Sequence, residues 1–223
     1  MKTKQASLII SIITISLFIS PIYSSDVKTK SVPSGKAWEK LAEGNKRYYK
    51  GKMMHPRGNK TRRASLAKTQ KPFAIILSCS DSRVPPELLF DQGFGDLFVV
   101  RTAGNVVDDV AIGSLEYAVE HLNVKLIVVL GHERCGAVAA SVKGGEVPGH
   151  ISSITNKIKP SVVIAKKQKG DPVENTVKEN VRRVVTELKT SKPILTEFMH
   201  KKGLKIIGAR YDLDSGVVVK ITK

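Results

Sequence analysis

Three uninterrupted apolar runs, each ending abruptly in polar residues, constrain the fold of this 223-residue chain more than any other feature. Phe73–Leu77 runs into Ser78-Cys79-Ser80-Asp81-Ser82-Arg83, and Leu97–Val100 into Arg101-Thr102-Ala103-Gly104-Asn105. Leu126–Leu130 runs into Gly131-His132-Glu133-Arg134-Cys135. A half-exposed strand alternates apolar and polar residues, whereas a strand covered on both faces is apolar throughout. Between the second and third runs, Ala111, Leu115, Ala118, Val119 and Leu122 share one face of a helix over 110–122. Apolar strands joined by helical crossovers predict an α/β fold with a central, mostly parallel β-sheet flanked by helices. In the tail, Leu204–Ala209, a turn at Asp212–Gly216 and Val217–Ile221 predict a last strand and an antiparallel C-terminal edge strand. The spacing of Ala37, Leu41, Ala42, Tyr48 and Tyr49 predicts an N-terminal helix over 37–49. Residues 150–201 read as helical and Lys-rich, punctuated at Pro160, Gly170-Asp171-Pro172 and Pro193.

Ahead of these elements, Lys2 and Lys4 precede an apolar run from Leu8 to Ile19, then Pro21 and Ser24-Ser25. Twelve apolar-rich residues are short for a bilayer span and match the layout of a secretory signal peptide over 1–24. An uncleaved anchor is the other reading, and it leaves the same domain outside the membrane. Residues 25–36 read as a polar linker and 37–223 as one domain, exported to the periplasm or secreted, with no stable membrane anchor after processing. The chain carries 37 Lys+Arg against 20 Asp+Glu, a formal +17. Removing residues 1–24 takes away two lysines and no acid, so +15 belongs to the folded protein. Such charge attracts anions but says nothing of fold. Aromatic residues are 5%, too few for the stacking platforms of single-strand binders, and the lysines spread from Lys28 to Lys223 instead of forming one stripe. Nucleic acid is therefore not the expected partner.

Ligands of an open α/β sheet sit outside the carboxyl ends of the strands. Cys79 ends the first run, and His132 and Cys135 end the third, so neighbouring strands would bring two sulfurs and one imidazole to one point. Two thiolates and a histidine make a tetrahedral zinc set with one position left for water or for a carboxylate such as Asp81. The two cysteines also suit a disulfide in an exported chain. Their places after strand ends, His132 three residues from Cys135, and the nearby Asp81, Arg83 and Arg101 favour the metal. Zinc so held lowers the pKa of a bound water from 15.7 towards ~7. Arg83 can hold Asp81 by a charge-assisted pair, which acts as a gate: broken, Asp81 caps the metal; made, the fourth position is free. A plain loop-stabilising salt bridge is the alternative for that pair.

Cys79-x-Asp81-x-Arg83, followed some fifty residues later by His132-x-x-Cys135-Gly136, resembles the β-class carbonic anhydrases. The resemblance extends over about residues 37–222. It implies reversible hydration of carbon dioxide to bicarbonate and a proton, with Zn2+ on Cys79, His132 and Cys135. It further implies Asp81 as fourth ligand in a closed state and, with Arg83, as orienter of the bound water in an open one. Gln70 matches a substrate-contacting glutamine and Gly136 a backbone position that faces the substrate. The N-terminal helix would be an arm embracing a second subunit, giving a homodimer or a higher even homo-oligomer. Thr102 departs from the usual Asn, and Glu133 and Arg134 fill variable places between His132 and Cys135. Ile76 stands where members with an inhibitory bicarbonate pocket carry Trp, although Arg101 matches an arginine of that pocket. Carbon disulfide or carbonyl sulfide are alternative substrates on the same metal set, and a non-catalytic basic binder is an alternative of another class. His55, His121, His150 and His200 read as solvated or helix-end residues, His150 also as a possible proton shuttle, and Trp38 as a packing residue.

Overall fold

The computed structural model describes residues 31–222, and the predicted signal peptide lies outside them. A helix α1 (Ser34–Tyr49) and a short α2 (Lys60–Leu66) lead into β1 (Ala74–Ser78), then α3 (Pro86–Leu89), β2 (Leu97–Arg101) and a one-turn 3-10 segment over Ala103–Asn105. Next come α4 (Asp109–Glu120), β3 (Leu126–His132), α5 (Gly136–Lys143), α6 (Ile151–Ala165), α7 (Pro172–Thr190) and α8 (Ile194–Lys201). The strands β4 (Lys205–Tyr211) and β5 (Val218–Lys220) complete the described chain.

The five strands lie in the order β2-β1-β3-β4-β5, the first four parallel and β5 antiparallel at the edge. From β1 the chain crosses to β2 on one side and returns to place β3 on the other. The strand order therefore reverses between β1 and β3, where their carboxyl ends leave a crevice. Register fixes what meets there: β1 ends at Ser78, level with Leu130, and β3 runs two residues further to His132, so Cys79 emerges within one residue of the level of His132. β1 and β3 are buried throughout, as continuous apolar runs require. β2, the edge strand, is only half-buried despite its apolar run.

Alternation along the strands divides the core in two. Ala74, Ile76, Leu126, Val128 and Leu130 face one side, with Leu41 of α1, Leu89 of α3, Val138 of α5 and Ile158 of α6. Ile75, Leu77, Ile127 and Val129 face the other, with Leu115 of α4, Val181, Val184 and Leu188 of α7, and Leu195 of α8. Each of these Leu, Ile and Val side chains contributes about 1.5–3 kcal/mol by leaving water. Local chemistry sets the helix ends: the Asp108 carboxylate accepts from the Ala111 N–H at 2.8 Å, and Asp171 from Val173 N–H at 2.8 Å, with Pro172 in the first turn of α7.

Two boundaries differ from the sequence reading. α1 begins at Ser34, three residues inside the expected linker, because Pro33 sits before the first turn and the Ala37 N–H already bonds its carbonyl. Pro160 does not interrupt α6; it lies on the exposed face, while Ile158, Ser161 and Val162 anchor the opposite face.

α7 lies so close to the sheet that Gly208 of β4 admits no side chain. A Cβ there would sit 2.6 Å from Val181 Cγ1 and 3.0 Å from Thr222 Cγ2. Gly208→Ala should therefore destabilise the fold by about 1–3 kcal/mol in urea unfolding, and an unchanged midpoint would mean that α7 is not seated this closely.

Candidate metal centre

The first and third strand ends converge as expected. The Sγ atoms of Cys79 and Cys135 are 4.0 Å apart, both thiols are free and buried, and with a ring nitrogen of His132 they form one group within 4.8 Å. Four tetrahedral bonds of 2.3 Å would put two sulfurs about 3.8 Å apart, whereas a disulfide needs about 2.05 Å. His132 supplies the second test of fit. Its Nδ1 is 2.8 Å from the Glu133 carbonyl, which takes the ring proton and leaves Nε2 a bare acceptor. That Nε2 is buried and has no hydrogen-bond partner among the described residues. A buried acceptor left open beside two sulfurs fits a soft or borderline cation such as Zn2+.

Backbone amides prepare the sulfurs for charge. Asp81 N–H donates to Cys79 Sγ at 3.4 Å and Gly104 N–H at 3.2 Å. The Cys79 thiol is drawn down by the hydrogen bond from Cys135, against burial, with help from those two amides. Cys135 is pushed up by the same sulfur–sulfur contact and by burial, while the amides of Ala137 and Val138 at the start of α5 oppose the rise. Both sulfurs would bind a dication as thiolates, so metal binding would release the protons they carry.

Asp81 and Arg83 form a two-pronged pair, with Arg83 Nε donating to Oδ1 at 2.9 Å and Nη2 to Oδ2 at 2.7 Å. The Arg83 side chain and its backbone N–H hold the Asp81 carboxyl well below the usual carboxylate range. With both oxygens engaged, Asp81 does not join the sulfur–imidazole group; Oδ2 stays 3.9 Å from His132 Nε2. This paired arrangement is the one expected to leave a fourth metal position free.

Other sequence candidates fall in different places. Gly136 opens α5, exposed beside Cys135 with open space at its Cα. Gln70 is exposed and precedes the amino end of β1, whereas Cys79 follows its carboxyl end. Five strand residues, about 17 Å, separate the two within one chain. Ile76 is buried in mid-β1. Arg101 Nε donates to the Cys79 carbonyl at 2.9 Å and Nη2 to the Asp81 carbonyl at 2.6 Å, so this arginine splints the ligand loop. Trp38 packs against the core, His55 and His150 are exposed, His121 caps α4 beside Tyr117, and His200 lies in the last turn of α8.

Gly104 was not singled out by residue type. Its φ of 68° aims its N–H at Cys79, a Cβ would meet Ile158 Cδ1 at 2.8 Å, and the Asn180 amide holds its carbonyl at 2.9 Å. The available signal was its place in the polar end of the second run.

A family model described as carbonic anhydrase matches residues 74–218. The chain belongs to the carbonic anhydrase family. It is 43% identical over 187 residues to carbonic anhydrase 2 of Mycobacterium tuberculosis, covering 82% of this chain and 90% of that protein. It is 42% identical over 186 residues to a carbonic anhydrase of Mycolicibacterium smegmatis, with the same coverage. A tetrameric β-carbonic anhydrase of Sordaria macrospora superposes with a TM-score of 0.67 at 28% identity, covering 71% of this chain and 85% of that one. A Coccomyxa β-carbonic anhydrase in complex with acetazolamide gives 0.66 at 26%, covering 85% and 83%. Sequence and fold together place the chain in the β class of these enzymes.

Cys79→Ser and Cys135→Ser should each abolish stoichiometric zinc in the purified protein, measured by elemental analysis after dialysis. Full zinc content in either variant would remove that sulfur from the ligand set.

Proposed function

We propose that this β-class carbonic anhydrase hydrates carbon dioxide reversibly on Zn2+ held by Cys79, His132 and Cys135. The observation that carries this reading is the buried, unpartnered Nε2 of His132 beside two sulfurs and beneath an Asp81 already committed to Arg83. Zinc in that position would supply a Lewis acid and a nucleophile competent at neutral pH.

The chain's own residues would do the rest. Asp81, ionised, offers only acceptor lone pairs, so it can take a hydrogen bond from the reacting water and fix its orientation. Arg83 keeps that carboxylate aimed and off the metal. The exposed Gly136 N–H, at the positive end of α5, suits a bicarbonate oxygen as negative charge develops. Gln70 could reach a substrate only from a second copy, which agrees with a dimer or larger even assembly; the Sordaria relative is described as tetrameric. Export rests on the signal-like residues 1–24. Among the described residues, no helix is long and apolar enough to cross a membrane.

Stopped-flow hydration of carbon dioxide by the zinc-loaded protein tests the assignment. Activity should rise from pH 6 to 9, and a flat profile, or absence of hydration, would sink it. The depressed pKa of Asp81 means that its pairing with Arg83 is present above about pH 4, the ordinary Asp value, and is lost only as pH falls further. Asp81 therefore does not titrate between pH 6 and 9. Asp81→Asn should keep zinc, lose about 10²-fold in kcat, and retain the shape of the remaining pH profile. An unchanged kcat would reduce the pair to a structural bridge.

A further inference from the structure

The loop between His132 and Cys135 is fastened from outside the centre. The Glu133 carbonyl receives the His132 ring proton at 2.8 Å, and the Arg134 carbonyl receives Arg83 Nη2 at 3.4 Å. Two adjacent carbonyls thus face the two parts of the site, one toward a metal ligand and one toward the gate. Their directions depend on Arg134, whose backbone is left-handed at φ 49°, a conformation an arginine holds only when its surroundings enforce it.

Those surroundings belong to the β4–β5 turn. Arg134 Nη1 and Nη2 grip Asp214 Oδ2 and Oδ1 at 3.0 and 2.7 Å. Glu133 Oε2 accepts from the Leu213 N–H at 3.0 Å, and the Glu133 N–H donates to the Tyr211 carbonyl at 3.0 Å. The turn is itself rigid: Asp212 Oδ1 accepts from the Ser215 N–H and hydroxyl at 2.8 Å each. Buried Asn45 of α1 donates to the Gly216 carbonyl at 2.9 Å and accepts from the Val218 N–H at 2.9 Å.

We propose that Arg134 is a positioning residue, and that its clasp on Asp214 holds the Glu133 and Arg134 carbonyls so that His132 and Arg83 stay aimed. The proposal rests on the zinc reading above. Arg134 is 53% exposed at its side chain and Asp214 71%. An ion pair so exposed adds little to global stability. A clasp whose only role is to brace the surface would therefore move neither the metal nor the rate.

The test uses the zinc-loaded protein and its Arg134→Ala, Arg134→Gly and Asp214→Ala variants, with the exchanged double variant Arg134→Asp/Asp214→Arg. The measurements are zinc transfer to a competing chelator, Tm, and separate kcat and KM. The glycine variant removes the side chain while easing the left-handed backbone, so it separates the clasp from backbone strain. Loss of an outer partner of a metal-bound histidine costs about 10–100-fold in affinity. Arg134→Ala and Asp214→Ala should therefore weaken zinc retention about tenfold and lower kcat with KM little changed. Tm should shift little, and the exchanged pair should recover part of the loss. Unchanged zinc transfer and kcat in Asp214→Ala would overturn the proposal. So would losses that merely follow a fall in Tm. A wild-type protein that holds no zinc on these ligands overturns the zinc reading itself, and the proposal with it.

Discussion

The parallel pairing of β1 with β3 is the contact on which everything else depends. It sets Ser78 level with Leu130, so Cys79 leaves β1 beside Gly131 and His132, the last two residues of β3. The order β2-β1-β3 reverses direction there, which leaves a crevice between the two strand ends. A slip of one residue would turn every side chain to the opposite face. Here Ile75, Leu77, Ile127 and Val129 pack on one face, and Ile76 and Val128 on the other, each set against its own helices. The core, which includes both cysteines, therefore fixes the distance between their sulfurs.

Around that crevice the protein uses backbone where a sequence displays only side chains. Cys79 is surrounded by amides of Asp81 and Gly104, and its own carbonyl is held by Arg101. The start of α5 adds further N–H groups beside Cys135. These donors favour sulfur in its charged form without placing another charged side chain in the buried group.

Much of the centre was legible in the sequence. The apolar runs revealed the strands, although β2 is half-buried at the edge, and their polar endings marked Cys79, His132, Cys135, Asp81 and Arg83 as residues that share one end of a sheet. What escaped depends on distance along the chain or on which face points outward. Arg134 and Asp214 lie 80 residues apart, and nothing in either neighbourhood announces the other. Pro160 reads as a break, yet it falls on the solvent side of α6, where a missing amide hydrogen bond leaves its acceptor open to water. Gln70 resembles a substrate contact by spacing, but the direction of β1 carries it away from the crevice of its own subunit. Arg101 matched a pocket residue by position, and its hydrogen bonds tie it to the ligand loop.

The brace from α1 also bears on the order in which this chain folds. Asn45 joins Gly216 across 171 residues of sequence, whereas β1 meets β3 across about fifty. Closing a longer loop carries a larger entropy penalty, so topology favours assembly of the β1–β3 crevice before the last turn is fastened. The two sulfurs and the imidazole would then gather early and be locked late. A nascent chain emerging N-terminus first has Cys79, His132 and Cys135 available before the residues that secure their loop have been delivered.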